Sequence, residues 1–240
     1  TEYAQWHQRM VAEYPVACAY DWLHDIFEPD DLRLVTGLLQ TGAADSFRSI
    51  GDRYFGTSND ITSNRATHSG GSFGPIALAL AGEPGSAPMW MPAAARLITI
   101  NLNAWIGENG DCAEGTSYFS TPIRLLMPFL VSLKINDLHP ETRDNNLQHF
   151  ANWLAIVNAG GYLPAIGDSD GGRLNFPVGL LRLYPENELA WKLWHSIERP
   201  ERPDSDVLSL LWFTPSENQP QDFSDLPKTA YFDAQNYQVF

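Results

Sequence analysis

The residues of this chain best suited to chemistry fall in three polar stretches that interrupt apolar ones. The first is Asn109-Gly110-Asp111-Cys112-Ala113-Glu114-Gly115-Thr116-Ser117-Tyr118, a turn signal that runs into an apolar helical run ending near Leu133. This order places the Tyr118 phenol one turn into a helix, behind a flexible loop, where it can face a cleft and exchange a proton with a substrate. The plainer reading is a half-buried tyrosine whose hydroxyl has found a partner. Glu114 lies four residues before Tyr118; a carboxylate there suits capping or charging a helix N-terminus better than acid catalysis.

The second stretch is Ser63-Asn64-Arg65-Ala66-Thr67-His68-Ser69-Gly70-Gly71. Asn64 and His68 share a face if this is the first turn of a helix. Asn64 is equally suited to be an N-cap, and His68 to be a satisfied, partly buried ring. The third, Gly160 to Gly172, carries Tyr162, Asp168 and Asp170 among glycines. Two aspartates supply too few oxygens for a calcium site, so Asx turns that stiffen the loop explain them better. No phosphate-binding glycine loop, His-Glu-x-x-His or Gly-x-Ser-x-Gly pattern occurs, which sets aside P-loop NTPases, the common zincins and α/β-hydrolases.

The elements that must position these residues read mostly as helices joined by Gly/Pro-rich loops. Tyr3 to Glu13 and Val16 to Phe27 are expected as two helices broken at Pro15. A third starts at Pro29-Asp30-Asp31, with proline and acids where the helix dipole favours them, and ends at Gly42; a short helix follows from Asp45 to Phe55. Further helices are expected over Phe73 to Ala81, Pro88 to Trp105 (with Ala95, Ile98, Leu102 and Trp105 on one face), Tyr118 to Leu133, Glu141 to Asn158, Leu174 to Tyr184, Glu186 to Ile197 and Ser205 to Phe213. From Thr214 the texture becomes polar and proline-rich, and Tyr231 to Phe240 reads as a strand or hairpin arm with nothing after it to pair with. The expectation is an all-α fold, an incomplete α/α toroid of antiparallel helical hairpins over residues 1–213, a linker over 214–228 and the first strand of a clipped β-sandwich domain over 229–240. Because the chain opens at Thr1 inside a helical run, an excised or mature piece of a longer protein is expected.

At 240 residues the chain can bury a substantial core. Its formal charge of −14 argues against a nucleic-acid partner, which needs a basic footprint. The apolar runs are too short to cross a bilayer. Eight Trp, nine Tyr and twelve Phe suit either stacking on sugar rings or a large helical core. Cys18 and Cys112 stand in no metal-ligand spacing; they permit one disulfide without requiring it.

Taken in order, the segment Ala19 to Asp31, then Ser63 to His68, then Asn109 to Tyr118, then Leu163 to Asp170 resembles the heparinase II/III-like polysaccharide lyases over nearly the whole chain. The resemblance implies an incomplete α/α toroid followed by antiparallel β-sandwich domains of the same full-length chain. It implies an enzyme without cofactor or metal that cleaves a uronate-containing polysaccharide, glycosaminoglycan or alginate-like, by β-elimination, in the periplasm or outside the cell. Asn64 would neutralise the uronate carboxylate and Tyr118 would act as acid and base, with His68 as a further catalytic candidate and Arg65, Glu114, Tyr162 and Asp168 as substrate-binding candidates. Some members of the family carry His directly after the Asn, where this chain has Arg65, and a further catalytic His comes from the β domain. Two other readings compete. One is a glycoside hydrolase using Glu114 with Asp168 or Asp170 as its carboxylate pair. The other is a carbohydrate-binding or degenerate toroid domain without chemistry.

Overall fold

The computed structural model describes residues 2–56, 60–112, 114–157, 162–165, 171–173, 178–197, 230–232 and 237–239. Among them the fold is all-α, with eight α-helices and two small strand pairs. The first helix, α1 (Glu2–Leu23), runs straight through Pro15. Proline in a helix interior costs about 3 kcal/mol through the lost N–H and the ring's clash with the preceding turn. Here Ala17 and Tyr20, just beyond it, are buried in the core, and α1 packs along α3 (Asn64–Ala79). Burial of that face outweighs the local propensity, so the expected break at Pro15 does not form.

The second helix, α2 (Pro29–Tyr54), starts as expected, with Pro29 at its first position and Asp30 and Asp31 in the first turn. It does not end at Gly42. Leu39, Gly42, Ala43, Ser46, Ile50 and Tyr54 form one buried stripe along a continuous helix. Gly42 serves close approach instead: a methyl group there would overlap the Glu13 carboxylate of α1. The glycine marks a helix crossing, and the helices expected on either side of it are one.

The central element is α3. Ala66, Thr67 and every residue from Ser69 to Ala77 are buried, so this helix has no solvent face over most of its length. It touches α1, α2, α4 (Trp90–Trp105) and α5 (Thr116–Ile135). Small residues make this possible. A Cβ on Gly71 would stand 3.0 Å from the Leu126 amide nitrogen, against the backbone of α5. Burying Phe73 and Ile76 in this position contributes about 1.5–3 kcal/mol each. The stripe expected on α4 is found: Ala95, Ile98, Leu102 and Trp105 are all buried.

The helix expected from Glu141 to Asn158 is instead two 3₁₀ turns, Pro140–Thr142 and Asn146–His149, followed by the short α6 (Phe150–Val157). Asn145 is the physical cause. Its backbone is extended (φ −152°), and its side-chain oxygen accepts the Leu147 N–H at 2.9 Å, restarting the chain in a new direction. Beyond it lie α7 (Gly179–Leu183), part of the helix expected from Leu174 whose residues 174–177 lie outside the described residues, and α8 (Glu188–Ile197), which starts later than the expected Glu186. Strands β1 (Tyr162–Leu163) and β2 (Gly172–Arg173) pair antiparallel, with Tyr162 opposite Arg173. Near the C-terminus β3 (Ala230–Phe232) and β4 (Tyr237–Val239) also pair antiparallel, so the terminal arm expected to lack a partner contains its own. The helix expected over Ser205 to Phe213 and the linker over 214–228 lie outside the described residues.

Much of the aromatic supply goes into the core. Trp105 stacks on Phe119 at 5.4 Å, Phe119 stacks on Phe150, and Trp153 meets Phe119 edge-on at 6.2 Å. Trp90 and Trp191 are buried too; Trp22 and Tyr162 are the large aromatics that stay more than half exposed among the described residues.

Candidate functional site

Two of the three polar stretches meet at the N-terminus of α3. Ser63 holds the N-cap position in extended conformation, but its side chain makes no capping bond. The cap comes from elsewhere in the chain. Glu114 Oε2 accepts the backbone N–H of Asn64 at 2.9 Å, across 50 residues of sequence, and also accepts the Trp105 indole N–H at 2.9 Å. A carboxylate suits this place, because the first N–H groups of a helix have no intrahelical partner and carry the positive end of its dipole. Glu114 was expected at the start of its own helix; it caps a different one.

A second bond system holds the chain leading into α3. Asn101, fully buried on α4, donates from Nδ2 to the carbonyl oxygens of Ile61 (2.6 Å) and Ser63 (3.1 Å). Its Oδ1 accepts the hydroxyl of Thr67, also fully buried, at 2.6 Å. Each polar atom of this amide is thereby satisfied, as burial at this depth requires. Asn101 and Trp105 lie one turn apart on α4, so a single helical face grips residues 61–67 from one side and, through Glu114, from the other.

The loop before α5 is tied down. Gly107 N–H donates to the Asp111 carbonyl at 2.8 Å, Gly110 N–H to the Gly107 carbonyl at 2.9 Å, and Ile106 forms an antiparallel bridge with Cys112. Asp111 and Cys112 are buried. Gly115, the N-cap of α5, has φ +90° and ψ −172°, a backbone shape that side-chain-bearing residues rarely adopt. The expected flexible loop is therefore a hydrogen-bonded turn. Thr116, the first residue of α5, donates its hydroxyl to the Pro164 carbonyl at 2.8 Å, which brings the start of the third polar stretch to the same place.

Each residue singled out in the sequence can be placed on this frame. Asn64 is the first residue of α3 and half-buried, and no described residue hydrogen-bonds its side-chain amide. Arg65 follows it and is exposed; His68 lies one turn further on, half-buried, on the same face as Asn64. Tyr118 sits in the first turn of α5, and its side chain lies outside the described residues. Tyr162 is exposed on β1, two residues from the Pro164 carbonyl. Asp168 and Asp170 lie outside the described residues.

The structure thus brings together Asn64, Glu114, the start of α5 that carries Tyr118, and Pro164. Asn101 and Trp105 are the members that sequence reasoning missed. Trp105 read as a core residue, which it is. Asn101 left one signal: an amide one turn before Trp105 and next to Leu102, on a stripe otherwise apolar.

Both cysteines are free, Cys18 half-buried and Cys112 buried. Burial pushes the Cys112 thiol well above its ordinary value, so it stays protonated and unreactive at neutral pH. Among the described residues, no group of three or more His, Cys, Asp or Glu side chains is placed to hold a metal, and no helix is long and apolar enough to cross a membrane. No family model, curated protein or solved structure matches the chain.

Proposed function

We propose that this chain is the toroid portion of a polysaccharide lyase that cleaves uronate-containing chains by β-elimination, on an incomplete α/α toroid to which a β-sandwich domain adds further site residues. One observation carries the reading: the Asn64 and Tyr118 stretches, far apart in sequence, are bonded to each other through Glu114, and Thr116 adds the stretch beginning at Leu163. A lyase needs these parts side by side. The C5 proton of a uronate is too weakly acidic while its neighbouring carboxylate keeps full charge. A side-chain amide such as that of Asn64, which no described residue hydrogen-bonds, can hydrogen-bond the carboxylate and stabilise the enolate-like transition state. Tyr118 then takes the C5 proton as phenolate, the bond from C4 to the bridging oxygen breaks, a C4–C5 double bond forms, and the leaving oxygen receives a proton. A phenol ordinarily titrates near ~10, so a cation must favour its ionised form, and Arg65 and His68 follow Asn64 on α3 to supply one.

On this reading the substrate is an acidic polysaccharide, and the family resemblance supports a periplasmic or extracellular location. The net charge of −14 favours a sparsely charged uronan over a heavily sulfated one. The hydrolase reading has less support, because one of the two Glu114 oxygens already accepts two N–H groups.

The test is turnover of a panel of uronate polysaccharides, followed by ultraviolet absorbance of the unsaturated product, on the 240-residue chain and on the full-length protein. The full-length wild type is expected to give signal, and Tyr118→Phe to lower it by about 10²–10⁴-fold. Silence on every uronan, together with sugar binding that Tyr118→Phe leaves untouched, would replace the lyase with a carbohydrate-binding domain.

A further inference from the structure

We infer that Glu114 is a positioning residue: its carboxylate couples the placement of Asn64 to that of Tyr118. The geometry is specific. One oxygen, Glu114 Oε2, receives two donors from two different helices, the first amide of α3 and the indole of α4, each at 2.9 Å. Glu114 itself lies on the short turn of chain that leads through Gly115 into α5, four residues before Tyr118. The turn is short and bonded, with the Gly115 N–H donating to the Cys112 carbonyl at 3.1 Å immediately before α5 begins. A displacement of α5 is therefore transmitted through Glu114 to Asn64, and the reverse.

The donors on the other side of this bond are held as firmly. The Trp105 ring is buried and stacked on Phe119, a residue of α5 itself, so the indole reports the position of α5 twice: once through the stack and once through Glu114. Asn101, one turn earlier on α4, fixes the two carbonyls just before Asn64. The amide of Asn64 is thus clamped between a carboxylate in front and an amide behind, both referred to α4. Oε2, already accepting two N–H groups, has little capacity left for a sugar hydroxyl.

The catalytic consequence rests on the lyase reading; the coupling itself does not. Two variants separate the roles. Glu114→Gln keeps an oxygen that can accept both N–H groups but removes the charge and the titrating proton. Glu114→Ala removes the acceptor. Amide hydrogen exchange at Asn64 and at the Trp105 indole, read by NMR on the 240-residue chain, is expected to stay slow in Glu114→Gln and to become markedly faster in Glu114→Ala. On the full-length protein, Glu114→Gln is expected to keep kcat within about threefold of wild type. Glu114→Ala is expected to lose about 10²-fold in kcat with little change in KM, as misplacing a reacting group does. Trp105→Phe, which keeps the stacked ring and deletes only the indole N–H, covers the case in which Glu114→Ala does not fold; faster exchange at Asn64 is expected there too.

Glu114→Gln as inactive as Glu114→Ala, with exchange protection intact, would make the proton or charge essential and overturn the inference. So would unchanged Asn64 protection in both Glu114→Ala and Trp105→Phe. If wild type turns over no uronan while the exchange pattern is as expected, the coupling stands and the lyase reading falls.

Discussion

The body of α3 and its first turn belong to one helix but are held by different physics. From Ser69 to Ala77 the helix is buried on all sides, and glycines let neighbouring backbones and rings approach to contact. Its position there follows from shape and from the removal of apolar surface from water, which are strong but undirected. At Asn64, Arg65 and His68 the surface opens, and position comes from individual hydrogen bonds: Glu114 in front, Asn101 behind. The packed body supplies stability, and the bonded end supplies precise placement of groups that must remain accessible. A site built this way can present polar side chains without surrendering rigidity.

Breaking the packed end should have the largest effect. Gly71→Val would force a branched side chain against the α5 backbone at Leu125 and Leu126, where no flexible neighbour can give way. A loss of about 4 kcal/mol is expected, read as a lower urea midpoint or failure to fold. The bonded end should be weaker but more selective. Asn101→Leu takes the Asn101 partner from the Ile61 carbonyl and the Thr67 hydroxyl and leaves the Ser63 carbonyl with the Ala66 N–H, costing about 2–3 kcal/mol. Unlike Gly71→Val, it should speed amide exchange at residues 64–67 more than in α5, and equal acceleration in both places would contradict the division drawn here.

The smallest expected effect lies under the turn that leads to Glu114. Because burial raises the folded thiol pKa of Cys112 above its ordinary value of 9.0, the native state holds this proton more tightly than the unfolded chain does. Its contribution is complete below pH 9 and is lost as pH rises above that value toward the folded pKa. Cys112→Ala should flatten the alkaline limb of the stability profile, measured by urea unfolding at a series of pH values, while leaving the neutral region's pH dependence unchanged.

Local patterns in the sequence carried the regular elements well where one periodicity ran uninterrupted. The α4 stripe and the Pro29-Asp30-Asp31 helix start are both legible, since apolar spacing and end chemistry act within a few residues. Pro15 and Gly42 misled for a shared reason. Each is a helix breaker judged in isolation, and each sits where burial against a neighbouring helix decides the outcome. Asn145 misled in the opposite direction: a side-chain bond to the backbone two residues on ended a helix that the apolar pattern would have continued.

By itself, the sequence determined an acidic, predominantly helical chain with Glu114 and Tyr118 at or next to a helix start, because composition and i, i+4 spacing are local properties; the helix expected from Phe73 begins instead at Asn64. Only the tertiary structure decided that Glu114 caps the helix of Asn64 and not its own, that Asn101 is the amide behind it, and that Trp105 lends an N–H as well as a ring. Those bonds join residues that no spacing rule links. They form because folding leaves the first N–H of α3 and the indole of α4 partly buried beside one carboxylate, where leaving any of the three unpaired would cost more than bringing them together.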